Sequence, residues 1–454
     1  MINIKKLKQF LVKNERNKIY LRKNKKSARV IADNKLKTKL ILGKAGISVP
    51  KLIARFSHIG SLEKFRWENL EGNFVVKPTS GYGGEGIIIV RRRGKYAGDW
   101  IKMDGTIIST QDIVRHCQEI LAGKYSLHNL PDSVIVEERV KIHPMFLAIT
   151  KAGTPDIRVI IYNKVPVMAM FRIPTEKSGG KANLQQGAIG LGIDLATGIT
   201  TFGIEGKGNI IRKIYDYGKK KLRKVNGIKI PFWKEILETS VKCQEAMPGL
   251  GFLGVDVVLD KEKGPMVLEV NARPGLSIQV CNRAGLKVRM DKLEEIEVRS
   301  MNHAITLSKY LFGERFFEKV EEKEQVRTVG PLEVIKVKIG PAYAKASSGK
   351  KGKHRIVDVR AKIDTGAFRS SIDKNLATEL GLLAPEKVLY YRHYRSALGK
   401  NLDRPVIGLT FWLKDRKIVT AVNVADRKKL RTKFLLGRKD LEGFLVKPLS
   451  LEKL

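Results

Sequence analysis

The stretch GVDVVLDKEKGPMVLEVNARPG, Gly254 to Gly275, holds two apolar runs with acids set into them. Val255–Leu259 and Met266–Val270 read as the strands of a β-hairpin, because both are rich in β-branched residues and a polar Lys/Glu/Gly cluster separates them. A turn centred on Glu262-Lys263 sets Asp256 directly opposite Glu269. Opposed side chains have Cβ atoms about 5 Å apart, so two carboxylates there repel unless a cation lies between them. A hard divalent ion with oxygen ligands at ~2.1 Å suits the pair. Asn271, two residues on, shares their face and adds a neutral oxygen. Asp256, Glu269 and Asn271 are therefore the candidate metal ligands. The competing reading is an exposed ladder balanced by nearby lysines.

Upstream, Arg158–Tyr162 and Val165–Phe171 form a second hairpin across Asn163-Lys164. Asp156, Arg158 and Arg172 flank it, and Arg273 follows the acid cluster. Arginine offers fixed bidentate donors to phosphate or carboxylate. Farther upstream stands KPTSGYGGEG, Lys77 to Gly86, between the apolar strands Phe74–Lys77 and Ile87–Val90. Gly81, Gly83, Gly84 and Gly86 let the backbone approach phosphate oxygens, and Lys77 can set its ammonium over the same group. No Gly-Lys-Ser/Thr follows and the next segment is a strand, so this is not a Walker loop. Helices are expected over Asp33–Gly46, with Asp33 as N-cap and Gly46 as stop, over Gln111–Ala122 and over Trp233–Met247. Val134–Glu137 reads as a buried strand. Helices alternating with hairpins predict an α+β architecture rather than a plain Rossmann sheet.

These pieces, in this order, resemble an ATP-grasp carboxylate–amine ligase. The resemblance runs through DNKLKTKLILGKAGISVP (33–50), FVVKPTSGYGGEGI (74–87), VIVEERV (134–140), DIRVIIYNKVPVMAMFR (156–172), GVDVVLD and LEVNARPGLSIQVCNRAGL (268–286), and covers roughly residues 30–310. It is nearest the α-L-glutamate ligase-like branch, kin to RimK-type enzymes. The resemblance implies ATP held at the phosphates by Lys35 and Lys77 under a loop from Gly81 to Gly86. It places Glu137 and Glu138 at the adenine hinge and Asn183 before the metal strands. Asp256, Glu269 and Asn271 would hold Mg²⁺, or Mn²⁺ in its place. No acid after Glu138 matches the ribose-binding carboxylate. The implied reaction is transfer of the γ-phosphoryl to a carboxylate, with Arg158 and Arg172 at the transferred group, followed by attack of an amine on the acyl phosphate. Arg172 or Arg273 would face the oxyanion, and the products would be ADP, phosphate and an amide. Donor and acceptor would be an amino acid such as glutamate and a peptide or amine.

The tail carries Asp364-Thr365-Gly366-Ala367 after a β run and Leu435-Leu436-Gly437-Arg438 near its end. This pairing resembles half of a retropepsin-type aspartic protease, and residues 332–449 resemble the family of ATP-dependent zinc proteases. Aspartic catalysis needs two carboxylates sharing a proton, and the chain has one Asp-Thr-Gly. Asp364 is thus catalytic only in a homodimer paired through this domain; otherwise the domain is a binding or dimerisation barrel. His354, His393 and Asp364 have no metal-ligand spacing.

Domains are expected at 1–70 (basic helix and pre-ATP-grasp segment), 71–315 (ATP-grasp), 316–331 (a charged linker containing EKVEEKEQVR) and 332–454 (a small all-β retropepsin-like barrel). With 454 residues and 43% hydrophobic composition, wholesale disorder is excluded. Lys and Arg number 87 against 46 acids, a net charge of +41. Such a surplus favours acidic, polyanionic substrates or products, or is a compositional habit. Cys117, Cys243 and Cys281 form no CxxC pair, which excludes a disulfide framework. Met1–Lys13 lacks the apolar stretch of a signal peptide, and no run is long enough to span a membrane, so a cytoplasmic protein without stable membrane insertion is expected. Two other functions stay open. One is an aspartic-type peptidase regulated by ATP. The other is a basic nucleic-acid- or ribosome-binding protein, though no aromatic-interleaved RNA motif is present.

Overall fold

The structure, a computed structural model, describes residues 9–81, 84–126, 129–313, 327–340, 355–395, 401–428 and 430–447. The chain divides into two compact units, Met1–Glu294 and Glu295–Leu454.

In the first unit, a six-stranded antiparallel sheet runs in the order Leu52–Phe56, Val134–Glu138, Phe74–Pro78, Ile88–Arg93, Asp99–Lys102, Ile107–Ser109. Helix Thr110–Leu121 covers it. A capping box starts that helix, with Ser109 Oγ accepting from the Asp112 amide at 3.1 Å while the Asp112 carboxylate accepts from the Ser109 amide at 3.3 Å. Its apolar face (Ile113, Cys117, Ile120) buries against Phe74, Val76, Val134, Val136 and Trp100.

The second sheet has seven antiparallel strands, ordered Asn209–Ile211, Thr200–Glu205, Ile189–Ile193, Val165–Ile173, Asp156–Tyr162, Phe252–Asp260, Gly264–Asn271. Val165–Ile173 and Phe252–Asp260 are buried along their whole length. Asn163 and Lys164 both have positive φ (48° and 65°), the two-residue turn whose twist suits the hairpin expected there. Glycines at 190 and 192 admit helix Ile278–Asn282 against the sheet. A Cβ on Gly192 would stand 2.3 Å from the Cys281 carbonyl oxygen.

Two local expectations change. Asp33 does not cap the helix: Lys26–Ala32 and Lys35–Lys44 are separate helices, and Asn34 caps the second by accepting from the Lys37 amide at 2.9 Å. The basic N-terminal stretch is not one helix either, because buried Tyr20 and Leu21 turn the chain through a 3₁₀ segment between Lys13–Lys18 and Lys26–Ala32.

In the second unit, six strands close a barrel: Leu332–Ile339, Arg355–Asp364, Phe434–Gly437, Ser371–Asp373, Arg416–Ala425 and Asn401–Leu413, the last returning to the first through Val337↔Phe411. Val388–Arg395 adds to the outside of Asn401–Leu413. Alternate residues such as Ile335, Val337, Phe411, Val422 and Phe434 fill the interior. Helix Met301–Phe312 belongs with this barrel: His303 Nε2 bonds the Leu389 carbonyl at 2.7 Å and Tyr310 lies against Gly408. The division after Glu294 therefore precedes the expected linker at 316–331. Residues 316–326 of that linker lie outside the described ones, and Arg327–Val329 pairs in parallel with Phe444–Val446.

Two glycines test this packing. Gly192→Ala forces backbone against backbone and is expected to lower stability by about 1–3 kcal/mol. Gly43→Ala, on an exposed helical site with open space around it, should raise stability by about 1 kcal/mol. Urea unfolding of both variants reads the opposite signs.

Candidate active site

Four neighbouring strands of the second sheet set charged residues in a row on one face. Asp156 stands opposite Arg172, Arg158 opposite Asp256, and Asp256 opposite Glu269. The last pairing arises differently from the sequence expectation. The turn is centred on Glu262, which alone would oppose Asp256 to Leu268; a bulge between Asp256 and Val257 in the register leaves Leu268 as the extra residue and brings Glu269 opposite.

Arg158 grips Asp256 with two bonds, Nε to Oδ1 at 2.7 Å and Nη2 to Oδ2 at 2.6 Å. Arg172 holds Asp156 in the same way at 2.5 and 2.6 Å and reaches Asp256 Oδ2 at 2.8 Å. Asn271 Nδ2 donates to Asp256 Oδ2 at 3.1 Å. Burial pushes the Asp156 carboxyl up to about 6, with Arg172 opposing and Asp256 adding to the rise. Burial acts on Asp256 in the same direction, but Arg158 and Arg172 outweigh it and hold that carboxyl below its usual range. Arg172 is raised: the two aspartates outweigh its desolvation.

A carboxylate has about four lone-pair sites. Oδ2 of Asp256 receives three donors and Oδ1 one, so Oδ1 keeps room for a cation. Among the described residues no three or more His, Cys, Asp or Glu side chains gather as a metal cluster. The oxygen donors on this face are Asp256, Glu269 and the Asn271 amide, a set suited to a hard divalent ion with water completing its shell. Beside them Val140, Val258 and Met266, with Leu268 packed against them, form an apolar patch.

The first sheet supplies cations. Lys77, on Phe74–Pro78, pairs with Glu137 at 2.5 Å, and Lys39, one turn beyond Lys35 on its helix, pairs with the other Glu137 oxygen at 2.8 Å. Burial pushes Glu137 up, yet Lys77 and Lys39 bring it below the usual carboxylate value. Lys35 Nζ donates to the Gly81 carbonyl at 2.7 Å. Desolvation lowers the Lys35 pKa, and Glu269 is the acid acting most strongly against that. The glycine loop is braced at both ends. Asp132 accepts from the Thr79 hydroxyl and from the Ser80 amide at 2.8 Å. Gly86 (φ +71°) lies over the Tyr125 ring, where a Cβ would come within 2.7 Å, and its carbonyl meets His116 Nε2 at 2.9 Å. Gly84 (φ +77°) borders the Lys181 side chain. Gly83 lies outside the described residues.

Lys35, Lys77, Glu137 and Glu269 thus share one electrostatic neighbourhood, and Arg158, Arg172, Asp256 and Asn271 another on the same sheet face as Glu269. Other expected residues stand apart. Strand alternation turns Glu138 away from Glu137, to accept from the Lys51 amide at 2.8 Å and pair with Lys263. Asn183 caps the short turn Leu184–Gln186 by accepting from the Gln185 amide. Arg273 pairs with Asp33 at 2.8 Å near the surface. Lys39, Asp132 and Asp156 were not among the expected site residues. Lys39 was legible as the i+4 neighbour of Lys35; Asp132 lies more than fifty residues from Thr79 and Ser80 and carried no local signal.

In the second unit, Asp364 ends its strand beside Gly437, in parallel register. Its Oδ1 accepts from the Gly366 and Ala367 amides at 2.9 and 3.0 Å. The following loop crosses the LLGR segment, whose Arg438 amide donates to the Ala367 carbonyl at 2.8 Å. His393, on the outer strand, pairs with Asp403 of Asn401–Leu413, and His354 lies outside the described residues.

The chain belongs to the sugar-transfer associated ATP-grasp family, whose model matches residues 14–296. Solved structures similar to it include D-alanine–D-alanine ligase from Bacillus anthracis (18% identity, 63% of this chain and 70% of that one, TM-score 0.32). The VanG D-Ala:D-Ser ligase from Enterococcus faecalis is 16% identical over 60% of this chain and 63% of that one, with a TM-score of 0.35. The ATP-grasp ligase PsnB, complexed with a phosphomimetic variant of its minimal precursor, Mg and ADP, is 14% identical over 60% of each chain, with a TM-score of 0.32. No curated protein sequence matches the chain.

The charge row sets a pH dependence. Asp156 titrates higher in the fold than in the unfolded chain (about 3.9), so its contribution to stability is present below that value and is lost as pH rises through about 6. Unfolding free energies of wild type and Asp156→Asn, measured from pH 4 to 7, should diverge in that direction. Asp256→Asn leaves two buried guanidiniums without their shared charge and should cost about 3–5 kcal/mol.

Proposed function

We propose that the protein is an ATP-dependent ligase that joins a carboxylate to an amine through an acyl phosphate. The observation that carries this reading is the meeting of a lysine-lined glycine loop with an acid–arginine row on an adjoining sheet, within a family-matched ATP-grasp region. Asp256, Glu269 and Asn271 would hold Mg²⁺, or Mn²⁺ in its place; bound there, the ion would offset phosphate charge. Lys35 and Lys77 offset the rest, and the glycine amides need no side chain to approach phosphate oxygens. Leu268, half-buried against the core of Val140, Val258 and Met266, is the apolar side chain offered to the adenine ring, with the backbone of Glu137 and Glu138 as its hinge.

In the reaction, an oxygen of the substrate carboxylate bonds to the γ-phosphorus and ADP leaves. The amine nitrogen then bonds to the carbonyl carbon, loses its proton, and phosphate departs with the bonding pair. Arg158 and Arg172 are fixed donors for the transferring group. Arg273 faces the oxyanion only after releasing Asp33. Glutamate as donor suits the glutamate-ligase resemblance, and a polyanionic product suits the net positive charge. Incubation with ATP, Mg²⁺ and amino acids should release ADP and phosphate in proportion to acceptor. Glu269→Gln should lower turnover at least tenfold while leaving the fold intact; AMP as product would overturn the reading.

The barrel extends it. The neighbourhood of Asp364 and the LLGR segment supports a retropepsin-like domain that binds or trims the acidic product. Peptidase activity would need Asp364 from two chains. Sedimentation velocity should then show a dimer, and Asp364→Asn should abolish peptide cleavage without touching ADP release. A peptidase merely regulated by ATP would instead lose all activity in that variant, and a nucleic-acid-binding protein would keep salt-dependent binding without Asp256.

A further inference from the structure

Residues 207–229 carry nine Lys/Arg and one acid, Asp216. Within them Lys213–Asp216 and Lys221–Lys224 pair as a separate two-stranded ribbon. Its inner face is anchored: Ile214 and Asp216 are buried, and Asp216 accepts from the Lys219 amide at 3.0 Å and faces Arg223 at 3.8 Å. Among the described residues its outer face is exposed. There Lys213 stands opposite Lys224, and Tyr215 opposite Leu222. The turn between the strands adds exposed Lys219 and Lys220, with Lys221 at its end.

Lysine alone would say little in so basic a chain. The informative feature is apolar exposure in the middle of the charge: Leu222 is 63% exposed and Tyr215 45%, with Tyr217, 41% exposed, one residue past the strand. Aliphatic and tyrosine side chains ringed by lysines are the composition that settles at a lipid–water boundary, where apolar atoms enter the acyl margin and ammonium groups meet anionic headgroups. A nucleic acid would use the lysines but gain nothing from Leu222. The two tyrosines also pack edge to face, ring centres 5.0 Å apart, rather than as parallel platforms for bases. We propose that this ribbon docks the protein peripherally on an anionic lipid surface. Among the described residues no helix is long and apolar enough to cross a membrane, so the attachment is interfacial and reversible.

The test uses the full chain and extruded vesicles of phosphatidylcholine, alone or with one-third phosphatidylglycerol, at physiological salt. Co-sedimentation is expected with the anionic vesicles only. The triple variant Lys219→Gln/Lys220→Gln/Lys221→Gln should lower the partition coefficient on the order of 100-fold. Tyr215→Ser/Leu222→Ser, at unchanged charge, should lower it roughly tenfold or more. A control removing three exposed lysines elsewhere (Lys64, Lys95 and Lys242) should change it much less than the ribbon triple. Thermal melts confirm folding, and Leu222→Trp should give emission that shifts to the blue with anionic vesicles. Equal binding by wild type and Tyr215→Ser/Leu222→Ser, an equal loss in the control triple, or a tryptophan that stays in water would overturn the proposal. Single-stranded RNA that binds more tightly than the vesicles and strips the protein from them would assign the ribbon to nucleic acid instead.

Discussion

Asp256 lies under the second sheet with almost no access to water, and a lone carboxylate there would cost several kcal/mol in lost hydration. Two guanidiniums on two neighbouring strands answer it. Arg158 stands directly across the ladder, while Arg172 reaches over from the next strand and holds Asp156 as well. The register of these strands is thereby tied to one cluster of charge. A slip by one residue would turn Asp256 to the opposite face and strand both arginines. The same bonds hold the carboxylate ionised and aimed, with a single lone pair of Oδ1 open. The metal ion proposed for this face would meet an acid already oriented, with both arginines beside it.

The first sheet brings lysines to this region. Lys39 and Lys77 converge on Glu137, while Glu269 and Asp132 act on Lys35. Three ammonium groups stand among three carboxylates, with Asp132 the third, and burial destabilises the charged form of Lys35. A phosphate held beneath the glycine loop, as proposed above, would offset that cost. The carbonyl of Gly81, which now accepts from Lys35, is a weaker partner than a phosphate oxygen because it carries no net charge.

Much of this was readable from residue order, for a physical reason: antiparallel hairpins place cross-strand neighbours by counting. Asn163-Lys164 fixed one hairpin through backbone twist. The Asp256–Glu269 pairing was anticipated, but from a turn centre one half-step away; the bulge at Leu268 corrected the count, and no local residue signal announces such a bulge. Asn34 took the cap from Asp33 because the chain breaks between two helices there, which propensity does not reveal. The partners that complete the site, Asp132 under the glycine loop and Asp33 on Arg273, are separated from their targets by long stretches of chain. Pattern reading sees periodicity and turns; it does not see which distant strand edge arrives alongside. The helix at 301–312 was assigned to the preceding domain for the same reason, since only the folded barrel shows carbonyls waiting for His303 and an open glycine for Tyr310.

Net charge was the least informative of the early observations, and the structure explains why. With nearly two bases for each acid, an exposed lysine is expected anywhere, so information lies in where the acids are spent. Asp156, Asp256, Glu137 and Glu269 are concentrated where arginine and lysine converge, and each has a cationic neighbour there. In the ribbon at 213–224 the single acid is turned inward and holds Arg223 and a turn amide. That placement leaves the outer lysines uncompensated beside exposed leucine and tyrosine, an arrangement that folding alone does not need. Burying those apolar groups inward would have been the stabilising choice by the hydrophobic effect, and their outward position is therefore a feature of the surface rather than of the core.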